Sequence, residues 1–348
     1  MMNQSHFHIL DGHIHAFGKS LKSMDDAVAF DRQFGYETLN YLSCECMGDA
    51  TQNALGIYLK LKYPGNYAFG GFTYRYHYDF REEMEKLWDI GFDGMKMVED
   101  KPTLRKKIGM PFNDPRRDGF FAAMQERQIP LLAHVGDPAT CWDRDLIEPW
   151  AYEAGYFYGD GSYVTKEQLC QEVEDVLTRH PRLKIILAHL FFLSDDPQRL
   201  DDLMTRHPNV CLDIVSGTEM YFNFAKDPDW WREFFLKYQD RIVFGTDNSN
   251  IYDETDICNA RITCSMEERF LTCEGVINAW DKKTIGIHLP DEVCQKIFRD
   301  NFLRLAGDAP RPLDHVAASR YLKTRLDNRE LALDAEENKV IRQVLELL

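Results

Sequence analysis

The chain has no run of about eighteen or more apolar residues, the length that a membrane-spanning helix needs, and its opening stretch MMNQSHFHILDGHIHAF carries no cationic leader. Neither a membrane span nor a secretory signal is expected, and the cytoplasm is the expected location. It also lacks any block of lysine and arginine, and its formal net charge of −16 opposes adsorption to phosphate backbones or anionic lipid. Nucleic acid and membrane surfaces are therefore not expected as partners. Paired CxxC units of the zinc-ribbon or thioredoxin kind are missing as well. The nine cysteines, at 44, 46, 141, 170, 211, 258, 264, 273 and 294, are odd in number and scattered, as reduced thiols in a cytosolic protein are. Cys44 and Cys46, in YLSCEC behind an apolar run, read as small core thiols. No internal repeat, low-complexity tract or interdomain linker is visible.

What is present is core. Of the 348 residues 44% are hydrophobic and 13% aromatic, too many for a disordered chain and enough for one large α/β barrel. Eight apolar or β-branched runs stand out, at 7–15, 36–44, 67–74, 92–98, 129–136, 183–190, 209–216 and 241–247. Stretches with helical spacing separate most of them, among them REEMEKLWDIG, RDGFFAAMQERQ, KEQLCQEVEDVLTRHP and PQRLDDLMTRHP. Continuous apolar strands divided by helices imply a parallel sheet buried on both faces. Eight such alternations predict an α/β fold, a closed (β/α)8 TIM barrel. The barrel domain is expected over residues 1–307, with its closing helix at 291–307. Past the helix-breaking DAPRP, residues 308–348 predict a C-terminal helical extension that packs on the barrel or on a second copy in a homo-oligomer. Two connections, 137–165 and 248–275, are longer than a barrel needs and read as lids or specificity elements.

Several runs end in a side chain that can bind metal or move a proton. The first, FHILDGHIHAFG, ends in His13 and His15, whose alternate positions can converge on one centre. Neutral imidazole suits zinc and similar ions, although hydrogen-bonded histidine pairs look the same in sequence. Lys96 follows in the fourth run, His134 in the fifth, His189 in the sixth and Asp247 in the eighth. Barrel active sites are assembled from such C-terminal strand ends. Asp247 could instead cap the helix after TDNSN. Arg75 and His77, in FTYRYHYD after the third run, are expected to hold an anionic substrate group, or Arg75 to make a surface ion pair. His180 and His207 each precede proline at a helix end, where a cation complements the helix dipole. His6, His8, His288 and His315 have no strand-end placement.

Together these residues resemble the amidohydrolase superfamily, whose pattern is HxH after the first strand, often lysine after the fourth, histidines after the fifth and sixth, and aspartate after the eighth. In detail DGHIHAFG, PLLAHVGDP, IILAHL, FGTD and KIFRDNFLRLAG are similar to the amidohydrolase-related branch of lactonases, decarboxylases and hydratases that act on small carboxylated compounds. The resemblance spans roughly residues 7–307. It implies one or two divalent ions, zinc or manganese, held by His13, His15 and Asp247, with His134 next and His189 as a ligand or a base. It implies Asp247 as proton shuttle. Lys96 would be carboxylated and bridge two ions, stay an ammonium that binds a substrate carboxylate, or pair with Glu99. The implied activity is hydrolysis of an ester, lactone or amide bond in a small, carboxylated substrate by metal-activated water. The alternative is a lyase, a decarboxylase or hydratase, and the third reading a barrel that binds without turnover. Loops at 75–79, 137–165 and 217–229 would separate these readings.

Overall fold

The computed structural model describes residues 7–215, 218–249 and 254–348. His6, Ser216 at the end of the seventh run, the first position of the 217–229 loop and residues 250–253 of the 248–275 connection lie outside the described residues.

The eight runs form eight parallel strands in one sheet: β1 Leu10–Ile14, β2 Thr38–Leu42, β3 Tyr67–Gly70, β4 Gly94–Asp100, β5 Leu131–Val135, β6 Ile185–Leu187, β7 Val210–Asp213 and β8 Ile242–Val243. They are ordered β1 to β8, each paired with the next. The ring closes where Gly12 N donates to Phe244 O (3.1 Å), Asp247 N to His13 O and His15 N to Asn248 O (2.8 Å each). Seven of the strands are shorter than the runs that predicted them, while β4, seven residues like its run, is shifted two residues later to end at Asp100. The β1–β2 pairing slips between Asp11 and Ile14 and the β4–β5 pairing between Met97 and Asp100. Such bulges re-aim side chains at barrel rims, and here one spans His13 while the other follows Lys96.

Helices cover the outside. Leu21–Phe34 starts at Ser20, whose hydroxyl accepts from Ser23 N, and Lys166–Arg179 starts with a capping box of Thr165 and Gln168. Both devices satisfy amides that a helix start leaves unpaired. A separate apolar cluster including Leu10, Phe69, Leu132, Ile186 and Val243 fills the ring together with Phe302 of the closing helix. With that end plugged, the buried polar side chains His13, His15, Lys96, His189 and Asp213 gather toward the C-terminal strand ends.

The 248–275 connection is not an open lid: among its described residues it forms a helix, Glu254–Thr272, followed by an antiparallel hairpin of β9 (Glu274–Ala279) and β10 (Lys282–Ile287). Its buried face carries Thr263, Cys264 and Glu267 beside Met266 and Phe270, so the helical period is written partly in polar residues and is faint in sequence. Beyond the closing helix, His315–Asp327 and Ala335–Leu347 pack on the barrel helices Phe80–Ile90 and Gln52–Lys62 respectively. None of the described helices is long and apolar enough to cross a membrane.

Candidate metal centre

His13, His15 and Asp247 meet at the barrel mouth. His13 Nδ1 lies 2.9 Å from Asp213 Oδ2, and His15 Nδ1 lies 3.0 Å from the Leu42 carbonyl oxygen. Each ring thus spends its Nδ1 proton on an acceptor and turns its Nε2 lone pair inward. The two Nε2 atoms are 3.2 Å apart, and Asp247 Oδ1 is 3.4 Å from that of His13 and 3.2 Å from that of His15. Two lone pairs and a carboxylate facing one point call for a cation. Around a tetrahedral ion with bonds of about 2.0–2.1 Å, donor atoms sit roughly 3.3–3.4 Å apart, so this triangle has the required size. Lys96 Nζ, 3.3 Å from His13 Nε2, lies beside it.

A second facing pair adjoins the first. His134 Nε2 lies 3.1 Å from Gly136 O and His189 Nδ1 3.4 Å from Val215 O, which leaves His134 Nδ1 and His189 Nε2 opposed at 3.1 Å. His189 Nε2 is 3.9 Å from Asp247 Oδ2. The structure therefore brings His13, His15, Lys96, His134, His189 and Asp247 into one cluster, with no Lys96–Glu99 pair within it. Glu99 instead accepts Val98 N at 2.7 Å.

A profile of the amidohydrolase family matches residues 25–305. The chain belongs to the amidohydrolase family. The match starts beyond His13 and His15, so their placement opposite Asp247 is a separate observation. Among curated proteins none matches this chain. Among solved structures, an uncharacterized TIM-barrel protein from Bordetella bronchiseptica is 17% identical, covers 86% of this chain and 99% of its own, and has a TM-score of 0.53. The 5-carboxyvanillate decarboxylase from Sphingomonas paucimobilis is 13% identical, with 86% and 99% coverage and a TM-score of 0.52. The 4-oxalomesaconate hydratase from Rhodopseudomonas palustris is 13% identical, with 92% and 100% coverage and a TM-score of 0.52. These likenesses describe the fold.

The electrostatics of this amidohydrolase site keep Asp247 anionic and oppose positive charge on three of the four histidines. Burial alone would raise the Asp247 carboxyl, but His13 and His15 override it and hold it well below the ordinary carboxylate range. Burial also opposes charge on His15, yet Cys44 and Asp247 beside it raise it to about 10. Burial, reinforced by Lys96, pushes His13 well below the imidazole range. His134 and His189 are each lowered to about 4, chiefly by burial. Without an ion, the raised His15 holds a proton on Nε2 toward Asp247, in the place a bound cation would take.

Backbone strain marks the same place. His189, Leu190, Phe191 and Phe192 all have φ between 51° and 56°, and Asp247 has φ 54°. Each non-glycine residue held there costs on the order of 1–2 kcal/mol. Asp213 Oδ1 accepts His189 N at 2.6 Å, and the Phe192 ring stacks on His189 with centroids 4.8 Å apart. Asp213, missed in the sequence reading, thus holds both His13 and the strained turn. Its only signal was a lone acid in the apolar run NVCLDIVS. Asp11 was missed too: it accepts His13 N (3.1 Å), Thr246 N (3.0 Å) and Thr246 Oγ1 (2.5 Å), and ties β1 to the chain after β8.

Arg75 and His77 stand elsewhere. They line a cavity of about 610 Å³ with Tyr74, Tyr76, Tyr78 and Lys107, which no member of the histidine cluster touches. The Arg75 guanidinium is taken by Glu337 (2.9 and 2.6 Å), by Leu331 O (3.1 Å) and by Gly48 O. A smaller hollow, about 240 Å³, is lined by His15, Phe17, Ser20 and Ser249 and reaches the cluster.

Proposed function

We propose that this amidohydrolase binds a divalent ion, zinc or manganese, at His13, His15 and Asp247 and uses it to hydrolyse an ester, lactone or amide bond in a small, carboxylated substrate. The inward pair of Nε2 lone pairs closed by Asp247, at tetrahedral spacing, carries the reading. Bound there, a divalent ion supplies acidification of a water and polarisation of a substrate oxygen. Asp247 takes up a proton from the nucleophile and delivers it to the leaving group, and Oδ2, toward His189, is the oxygen free for it. His189 and His134 hold a proton or hydrogen bond beside the reacting oxygen. Lys96 offers an ammonium to the substrate carboxylate. Water enters and substrate docks along the hollow beside His15.

A lyase is the second reading, favoured by the decarboxylase and the hydratase among the fold relatives. A second ion is favoured by the opposed lone pairs of His134 and His189. Metal stoichiometry together with intact mass, which reveals carbon dioxide added to Lys96, distinguishes one ion from two. A panel of lactones, esters and amides set against aromatic and unsaturated carboxylic acids tests the reaction: hydrolysis that Asp247→Asn abolishes is expected. Turnover only by carbon dioxide release or hydration would replace hydrolysis with the lyase reading, and a D247N protein with the parent's product profile would sink both.

A further inference from the structure

The extension beyond the barrel is unexplained by the reaction, and its contacts converge on one side of the metal centre. Arg325, buried in the helix His315–Asp327, donates to both oxygens of buried Glu45 (2.9 and 2.8 Å) and to Ala50 O (2.9 Å). Glu337, in the helix Ala335–Leu347, accepts Ala50 N (3.1 Å) while it holds Arg75. Tyr321 OH accepts from Asn53, whose side chain also bonds both backbone groups of Gly71 (2.9 Å each). Lys19, just past β1, reaches Asp334 at 2.6 Å. The extension therefore grips the loops that leave β1, β2 and β3.

Of these, the loop after β2 leads directly to a metal-facing ring. Leu42, whose carbonyl fixes His15 Nδ1, ends β2; Cys44 Sγ lies 3.5 Å from the same nitrogen; Glu45 is the next residue. Gln52, at the other end of that loop, donates to Ala16 O at 3.0 Å, immediately beyond His15. We propose that Arg325 and Glu337 are positioning residues for the metal centre: they clamp the Glu45–Gln52 loop and through it set the orientation of His15. The extension then supports the metal centre through the loop it holds. An acceptor that orients a ligating histidine sets its tautomer and ring angle, and loss of such support typically costs roughly 10–100-fold in metal affinity.

This inference rests on the proposed metal site, and the test separates the two. Zinc affinity is measured by competition with a chromophoric chelator on apo protein, alongside Tm, for the parent, Glu337→Gln, Arg325→Met and Lys60→Met. Lys60 pairs with Asp93 at 2.5 Å, equally buried but ahead of β4, at the far end of the strands. The expected result is about tenfold or greater weakening in both extension variants, with Lys60→Met losing Tm but keeping the parent's zinc affinity. Should an extension variant fail to fold, the other decides. Unchanged zinc affinity in folded E337Q and R325M, or equal weakening in K60M, would make the clamp merely structural and overturn the inference while leaving the metal reading intact. A parent that binds no zinc would overturn both.

Discussion

Asp213 is the residue whose replacement says most about how the site is built. It is fully buried, accepts His13 Nδ1–H through Oδ2 at 2.9 Å and His189 N–H through Oδ1 at 2.6 Å. Asp213→Asn keeps the volume and removes one acceptor. If the asparagine keeps its oxygen toward His189 N, its amide group faces His13 Nδ1. His13 must then carry its proton on Nε2, the atom that faces His15 and Asp247, and can no longer ligate. If the amide flips, the clash falls on His189 N at the start of the left-handed stretch. A partner of this kind is worth roughly 10–100-fold in metal affinity, or about 1.4–2.8 kcal/mol. Chelator competition on folded apo protein, with circular dichroism to confirm the fold, measures it. D213N with zinc affinity within about twofold of the parent would refute the tautomer reasoning.

Gly245 leaves no room for a side chain: a Cβ there would sit 2.7 Å from His13 Cβ and Val215 Cγ1 and 2.9 Å from His13 N. Gly245→Ala is expected to lower Tm, since overpacking costs about 1–3 kcal/mol, and to weaken metal binding; parent-like values of both would count against the packing described. Glu99 is raised from 4.5 to about 7, chiefly by burial against the pull of Arg117, and its Oε1 has no hydrogen-bond partner among the described residues. With its folded value above its unfolded one, the stability it lends is full below the ordinary carboxylate range and is lost as pH rises through about 7. Glu99→Gln should therefore gain in Tm over the parent between pH 5 and 8, and a Tm difference that does not change with pH would contradict the assignment. Phe192→Ala removes the ring stacked on His189 and is expected to slow turnover more than it weakens zinc binding; kinetics matching the parent's would show that the stack is idle.

Much of this architecture was legible because it is periodic. Eight apolar runs became eight strands, and residues that share a strand-end position came together even though His13 and Lys96 are 83 residues apart. What was not legible depends on partners that only packing chooses. Arg75 reads equally as a substrate anchor or as an ion pair until Glu337, 262 residues away, is seen to take it. Asp213 looks like an ordinary strand end because nothing local marks which ring it serves. The helix Glu254–Thr272 hid behind a buried face that includes threonine, cysteine and glutamate, where an apolar stripe would have announced it.

The most direct test of the central claim is metal content. Protein purified without chelators, analysed by inductively coupled plasma mass spectrometry beside a His13→Ala/His15→Ala variant, should carry at least one zinc or manganese per chain, and the variant almost none. Parent protein with no stoichiometric divalent ion, and no activity rescued by adding zinc or manganese, would contradict the metal centre described here.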